Sequence, residues 1–453
     1  MNKYFLSELL EIKNGSDHKH LKDGNIPVFG SGGLMRMVDT PIYENESILL
    51  PRKGSLSNIQ FYDKPFWTVD TLYYTIVNKE KAVPYYLYHY LKRLDLSNLN
   101  SGTGVPSMTF GAYYGIEVKL PDLSTQQKIA AVLSALDDKI ELNNTINAEL
   151  EAMAKTLYDY WFVQFEFPNS EGKPYKSSGG AMEYNSTLKR EIPKGWEVRR
   201  LKDIESNIIT GKTPSTVIEE NFGGNIPFVT IDDIRKQLYI FTSERTLTEL
   251  GANSQKSKFL EAGDICVSCI GTVGVIGIVG TKCQTNQQIN TISKVLDYNR
   301  YYLLNALKQF FEFNISAAKQ GAVLANMNKG EFEDIPILDS TIILKQLYLS
   351  KVQSFYNKIE NNLKQNQELA QLRDWLLPML MNGQVKVVDA EEQAMSIAAE
   401  PNITYAKRSE KNKDDSKEER FRLWLSNEKL AARGDVDEVV LREIFDAMDD
   451  EDQ

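Results

Sequence analysis

The 453-residue chain predicts an α+β protein of two tandem β-rich domains, each followed by a long helix, with the two helices pairing as a coiled coil. Three observations carry this. Short sequence matches recur in the same order along both halves of the chain. The first part of each half alternates short apolar runs with turn residues. The second part keeps a heptad pattern of apolar residues, with a pair of asparagines at matching places.

Gly-Asn-Ile-Pro stands at Gly24–Pro27 and again at Gly224–Pro227, an offset of 200. Tyr85-Tyr86-Leu87 returns as Tyr301-Tyr302-Leu303 at an offset of 216, and Met108 and Gly111 return as Met327 and Gly330 at 219. The offset of 219 then holds without a gap, pairing Lys139-Ile140-Glu141 with Lys358-Ile359-Glu360 and Glu149-Leu150 with Glu368-Leu369. One shared tetrapeptide says little; collinear matches over such a length say that a unit was duplicated. The copies span about 1–165 and 190–383.

In chain order, a first β-rich domain covers 1–122, with strands expected at Ser47–Pro51 and Leu72–Val77. A first long helix covers 123–166. Ser124 with Gln127, just after Pro121, reads as its capping box. Its seam runs Ile129, Leu133, Leu136, Ile140, Asn143, Asn147, Leu150, Ala154 and Leu157, stepping by four and three. Phe167–Tyr184 is rich in Pro, Gly and Ser, so 167–190 reads as a linker. A second β-rich domain covers 191–338, with strands expected at Phe228–Ile231, Ile265–Cys269 and Val273–Val279. A second helix covers 339–383, its seam passing through Tyr348, Val352, Phe355, Ile359, Asn362, Asn366, Leu369, Arg373 and Leu376, with Gly383 as its C-terminal cap. Asn143 and Asn147 thus match Asn362 and Asn366, and an asparagine at a seam position gives up stability to fix register and partner choice. A helix of about 38 residues is ~57 Å long, more than a small domain needs and suited to a spacer. Residues 384–453 form an acidic tail, in which Phe421–Leu430 and Val439–Met448 suggest two short amphipathic helices around Gly434.

Charge gains meaning once it is located. The chain carries 52 Lys+Arg against 62 Asp+Glu, a net of −10; residues 389–453 hold 10 basic and 19 acidic, a net of −9, which leaves −1 for the body. A polyanionic partner is therefore compatible with the body, through local basic patches or with help from another subunit. With 42% hydrophobic and 10% aromatic residues the chain can bury real cores and is not wholly disordered. No run of about 18 apolar residues points to a membrane span, the N-terminal stretch turns polar too early for a signal peptide, and three cysteines give no disulfide framework. A cytoplasmic location is expected.

Several motifs imitate chemistry. Phe29–Gly33 contains a glycine run, but no helix follows that could face a phosphate, so a turn is expected. Gly211-Lys212-Thr213 resembles the end of a P-loop, yet its first glycine position is Ser206 and Pro214 follows at once. Cys266 and Cys269 have only Cys283 nearby, and His18, His20 and His89 all lie in the other copy, so no metal set is expected and the thiols read as buried and structural. No Ser/His/Asp or Cys/His arrangement and no methyltransferase-type Asp/Asn-Pro-Pro-aromatic tetrapeptide is present; the chain is read as non-catalytic.

Binding remains. Arg52, Lys53, Ser55 and Asn58 form a polar loop between strand-like runs, whereas its counterpart at an offset of 217, Cys269–Gly274, is apolar. One scaffold thus carries different loop chemistry in each copy. Lys212, Gln287, Gln288 and Lys319 are the matching candidates in the second copy, since amides bond adenine edges bidentately and arginine does the same to guanine.

At this point the sequence resembles the specificity (S) subunits of type I restriction–modification systems. Ile192-Pro-Lys-Gly-Trp-Glu-Val-Arg-Arg-Leu201 looks like the opening of one of their target-recognition domains; Leu157-Tyr-Asp-Tyr-Trp-Phe-Val-Gln-Phe165 and Leu376-Leu-Pro-Met-Leu-Met-Asn-Gly383 look like the ends of their two spacer helices. The resemblance covers about 1–385. It implies that the two helices run antiparallel and that each β-rich domain recognises one part of a split double-stranded DNA target. Diverged loops make the two parts unlike and the target asymmetric. It also implies two methyltransferase (M) subunits and restriction/translocase (R) subunits as partners, with S-adenosylmethionine, ATP and Mg bound there and no cofactor in this chain. Two other readings stay open: a DNA-recognition subunit of a type IIB-like system, and a coiled-coil adaptor without DNA contact. The first copy departs from the pattern by starting Tyr4-Phe-Leu-Ser-Glu-Leu-Leu10 with no Pro-x-Gly-Trp, and the tail beyond about 390 lies outside it.

Overall fold

The short apolar runs pair into two small sheets in each copy, seen in a computed structural model that describes residues 1–96, 99, 106–318 and 326–384. In the first module a four-stranded sheet runs in the order Leu10–Lys13, Leu72–Val77, Ser47–Pro51, Gln60–Tyr62, and a three-stranded one in the order Gly33–Val38, Ile26–Gly30, Trp67–Thr68. Ser47–Pro51 is buried along its whole length, which is why it lacks polar alternation. The second module repeats this with Ile208–Thr210, Ile289–Ile292, Ile265–Ser268 and Ile276–Val279, and with Thr246–Leu247, Phe222–Val229 and Gln284–Thr285.

The duplication holds residue by residue in the strand register. Ile12 faces Thr75 where Ile208 faces Ile292; Leu50 faces Tyr73 where Val267 faces Asn290; Ile48 faces Phe61 where Ile265 faces Ile278. Each module closes on itself through a two-stranded pair, Asn2–Phe5 with Glu117–Leu120 and Glu197–Arg200 with Pro336–Asp339. The first copy's divergent opening is therefore the same strand in different letters.

The modules differ between the two sheets. Val28 faces Trp67 and Phe228 faces Gln284, so the offset steps from 200 to 217 and the second module carries 17 more residues there. They include the helices Ile231–Lys236 and Glu249–Asn253 and the strand Tyr239–Ile240, which extends the larger sheet. The strand expected at Phe228–Ile231 accordingly ends at Val229. Thr230 caps a helix instead, because the Asp233 carboxylate accepts the Thr230 N–H at 2.8 Å.

Each module leads into its rod. The first is a helix over Leu123–Tyr158 that runs on into a π-helical turn, Asp159–Val163; the second spans Ile342–Met381. The first begins two residues earlier than the Ser124/Gln127 reading: Asp122 is the cap, its carboxylate accepting the Thr125 N–H at 2.9 Å, which also suits the positive end of the helix dipole. The second ends in a left-handed Gly383 (φ +71°), with Gln384 N–H reaching back to Met379 O at 2.8 Å, a Schellman closure.

The rods lie side by side and antiparallel. Arg373 pairs with Asp137, Asn366 with Asn143, Asn362 with Asn147, and the Tyr348 hydroxyl donates to Ala154 O, so residue numbers fall on one rod as they rise on the other. Their ends exchange. Leu369, Leu376, Leu377, Leu380 and Met381 of the second rod are buried in the core of the first module, beside Leu6, Leu50, Tyr86, Leu133 and Leu136. Ala154, Tyr158, Trp161 and Phe162 of the first rod are buried in the core of the second module, with Tyr302, Tyr348 and Tyr356. Each module thus folds around the end of the other module's helix. At about 25 cal/mol per Å² of apolar surface, such shared cores bind the halves into one cooperative body.

Phe167–Tyr184, whose composition suggests a linker, is folded. The Phe167 ring lies between Tyr175 and Trp196, stacked on each at 4.5 and 5.2 Å between centroids, and Met182–Asn185 pairs with Arg190–Pro193 as a hairpin. Turn-rich composition was satisfied by turns packed on aromatic rings.

Candidate nucleic-acid interface

In both modules the strand that leaves the centre of the larger sheet is followed, three residues on, by a glycine in the left-handed region, Gly54 (φ +91°) and Gly271 (φ +81°). The surrounding backbone bonds repeat. Met108 N–H donates to Arg52 O at 2.9 Å and Met327 N–H to Cys269 O at 2.7 Å; Lys53 bridges Ser107 as Ile270 bridges Asn326. The two loops are therefore one device with exchanged side chains.

In the first module this device gathers the sequence candidates Arg52, Lys53, Ser55 and Asn58. Lys53 and Ser55 are exposed; Asn58 donates to Ser31 O at 2.7 Å and so ties the loop to the hairpin turn that follows Phe29. The Arg52 guanidinium donates to Asp70 O at 3.3 Å and lies 6.0 Å from the Tyr73 ring centroid.

In the second module the loop borders an open groove of about 440 Å³. Gln288 lines it with Arg235, Thr272 and Arg245, three residues that sequence reasoning did not select. The Arg235 guanidinium is held at both ends, donating to Asp232 Oδ1 at 2.9 Å and to Thr272 Oγ1 at 2.6 Å. The Arg245 guanidinium lies 4.9 and 5.7 Å from the ring centroids of Phe222 and Phe228. Gln287 sits beside the neighbouring loop, accepting from the Thr213 hydroxyl at 2.7 Å, and Lys212 is exposed there. Gly211 owes its identity to packing: a Cβ would come 2.1 Å from Asn286 O. Lys319 lies outside the described residues. Arg235 belongs to the inserted residues, whereas Arg245, beside Thr246, stands where Arg36 stands in the first copy; the signal that could have found Arg235 was the step in repeat offset from 200 to 216.

The cysteines carry no chemistry here. All three are free and buried, and burial pushes the Cys266 thiol up to about 12 and that of Cys269 to about 11, away from the reactive thiolate. Among the described residues no group of three or more His, Cys, Asp or Glu could hold a metal, and no helix is long and apolar enough to cross a membrane. The seam candidates line the interface between the rods: Ile140 packs on the first module's core, where Leu369 is buried, and Leu150 on the second's, where Ile359 is buried. Asn143, Asn147, Asn362 and Asn366 bond across it.

Fold and site first define a class: a recognition protein whose variable loops ride on a duplicated scaffold braced by an antiparallel rod. A family model for the type I restriction modification DNA specificity domain matches residues 1–152 and 193–371, each copy with most of its rod. The HindI specificity subunit of Haemophilus influenzae is 31% identical over 338 residues, covering 64% of this chain and 73% of that protein. The MjaIX specificity subunit of Methanocaldococcus jannaschii is 29% identical over 354 residues, covering 76% and 79%. Among solved structures, the type I restriction–modification S subunit from M. genitalium shares the fold, with a TM-score of 0.51 at 16% identity over 84% of this chain and 96% of that one. The chain belongs to the type I restriction–modification DNA specificity family, the DNA-recognition and non-catalytic subunits of these systems.

With the family in hand, its motifs acquire a physical role. Trp196 of the Pro-Lys-Gly-Trp opening packs against Phe162 and Phe165 of the segment that ends the first rod, at 6.0 and 5.7 Å between ring centroids. These signatures are the joints between rod and module.

Proposed function

We propose that this chain directs two M subunits, and R subunits with them, to one double-stranded DNA target made of two unlike halves separated by a fixed gap. Each module reads one half through its glycine loop, and the rods set the gap. The observation that carries this is the pairing of a conserved strand register with exchanged loop chemistry: Arg52 and Lys53 stand where Cys269 and Ile270 stand in the other copy. Two copies related by an antiparallel rod present their loops in opposite senses, as half-sites on opposite strands require. Methyl transfer and translocation, with S-adenosylmethionine, ATP and Mg²⁺, then belong to the partner subunits.

The test is to express the chain with its M subunits in a host lacking other adenine methylation and to sequence the modified bases. One split, asymmetric motif is expected. An unchanged methylome would point to an adaptor, and a continuous or palindromic motif would reject the two-reader arrangement. Co-purification of separate M and R chains, rather than one fused polypeptide, distinguishes type I from a type IIB-like assembly.

A further inference from the structure

We propose that Arg235 is a specificity-determining residue of the second module and reads a guanine in its half of the target; the inference rests on the function just proposed. Arg235 lies on the helix Ile231–Lys236, among the extra residues that precede the repeated strand Thr246–Leu247, so the first module has no counterpart. Its side chain lines the open groove beside Gly271, at the place where the duplicated scaffold varies its chemistry, and stays about half exposed (47%).

Its fork is fixed before any ligand arrives. One terminal nitrogen donates to Asp232 Oδ1 and the other to Thr272 Oγ1. Each terminal nitrogen carries a second hydrogen, and Nε–H adds a further donor, so a planar pair of donors remains for a planar pair of acceptors. Guanine offers that pair in the major groove as O6 and N7. A side chain already held in place loses less rotamer freedom on binding, which favours a contact that discriminates over one that only attracts. A lysine-like phosphate contact would gain little from such bracing, because it needs charge without direction. The neighbouring Arg245 is the better backbone candidate, its guanidinium held by cation–π contact with Phe222 and Phe228.

The experiment compares methylated-base sequencing in cells expressing the M subunits with the native chain, Arg235→Ala, Arg235→Lys or Thr272→Val. The native chain should give the split motif. Both arginine variants should lose discrimination at one guanine position of one half only, by roughly ten- to hundredfold, with the other half intact. Thr272→Val, which keeps Arg235 and its bond to Asp232 but removes the second tether, should relax the same position more weakly. An unaltered motif methylated at an evenly lower level would overturn the proposal in favour of a phosphate contact, and an unaltered motif at an unaltered level would overturn it outright. Relaxation in both halves would also overturn the proposal, since a side chain that reads one base of the second half cannot set the other half. If Arg235→Ala fails to fold, the lysine and valine variants decide. A native chain that yields no split motif would instead sink the broader reading, and this one with it.

Discussion

His89 and Asn305 occupy equivalent places in the two copies, three residues after the repeated tyrosine pairs Tyr85-Tyr86 and Tyr301-Tyr302, and they solve burial differently. Asn305 donates to Tyr301 O and to the hydroxyls of Tyr348 and Tyr356. Neither ring nitrogen of His89 has a hydrogen-bond partner among the described residues, and the Asp137 carboxylate stands 3.8 Å away. Burial outweighs that carboxylate and lowers the His89 pKa to about 4. The unfolded chain takes up this proton near pH 6.5, the native state only near 4, so stability is whole above about 6.5 and is lost as pH falls through that window. The loss should reach about 2 kcal/mol by pH 5. His89→Asn should flatten the fall in melting temperature between pH 7 and 5; equal slopes for the two chains would contradict the assignment. The thiols were legible in the sequence because an apolar strand context suffices to call them inert. The partnerless histidine was not, since that depends on what both rods place beside it, Asp137 on the first and Arg373 on the second.

At the scale of the elements, the rods are held by polar rungs with a near two-fold relation. Asn143 donates to Asn366 and Asn362 donates to Asn147, each contact the image of the other under the offset of 219. The image is imperfect. Asn366 also donates to Asn144 at 2.8 Å, but the position equivalent to Asn144 is Leu363, and the Asn147 amide nitrogen is buried without a partner. Asn362→Leu alone should then leave Asn147 wholly unpaired and destabilise by about 1–3 kcal/mol. Adding Asn147→Leu should recover most of that, because two apolar partners leave nothing unsatisfied. Additive losses in the double variant, measured by denaturant unfolding, would refute the pairing. The seam and its asparagines were readable from period alone. The antiparallel sense was not, because heptads look alike in both directions; it is fixed by the exchange of rod ends between module cores. Cap and strand ends were misread for a related reason. Asp122 and Thr230 win their places by two short-range hydrogen bonds each, from the N–H and hydroxyl of Thr125 to Asp122 and from those of Thr230 to Asp233, which compete closely with neighbouring choices.

For the whole molecule, the body's near neutrality fits a protein that grips DNA together with other subunits. The duplicated plan was legible because it is written twice. The reading face was legible only in part: the loop at Arg52 stands out by charge, whereas Arg235 joins Gln288 through an insertion whose fold no repeat partner could suggest. What unites the parts is distance. Both rods bridge from one module core to the other, so the separation of the loops is a property of helix length. Seven residues added to each rod at facing levels, for example after Asn147 and before Asn362, would keep the seam in phase and lengthen it by about 10.5 Å, roughly three base pairs. The decisive measurement is modified-base sequencing of cells expressing that chain with its M subunits: methylation at the original gap should vanish, and any that survives should fall on half-sites about three base pairs further apart. Undiminished methylation at the original gap would contradict the account.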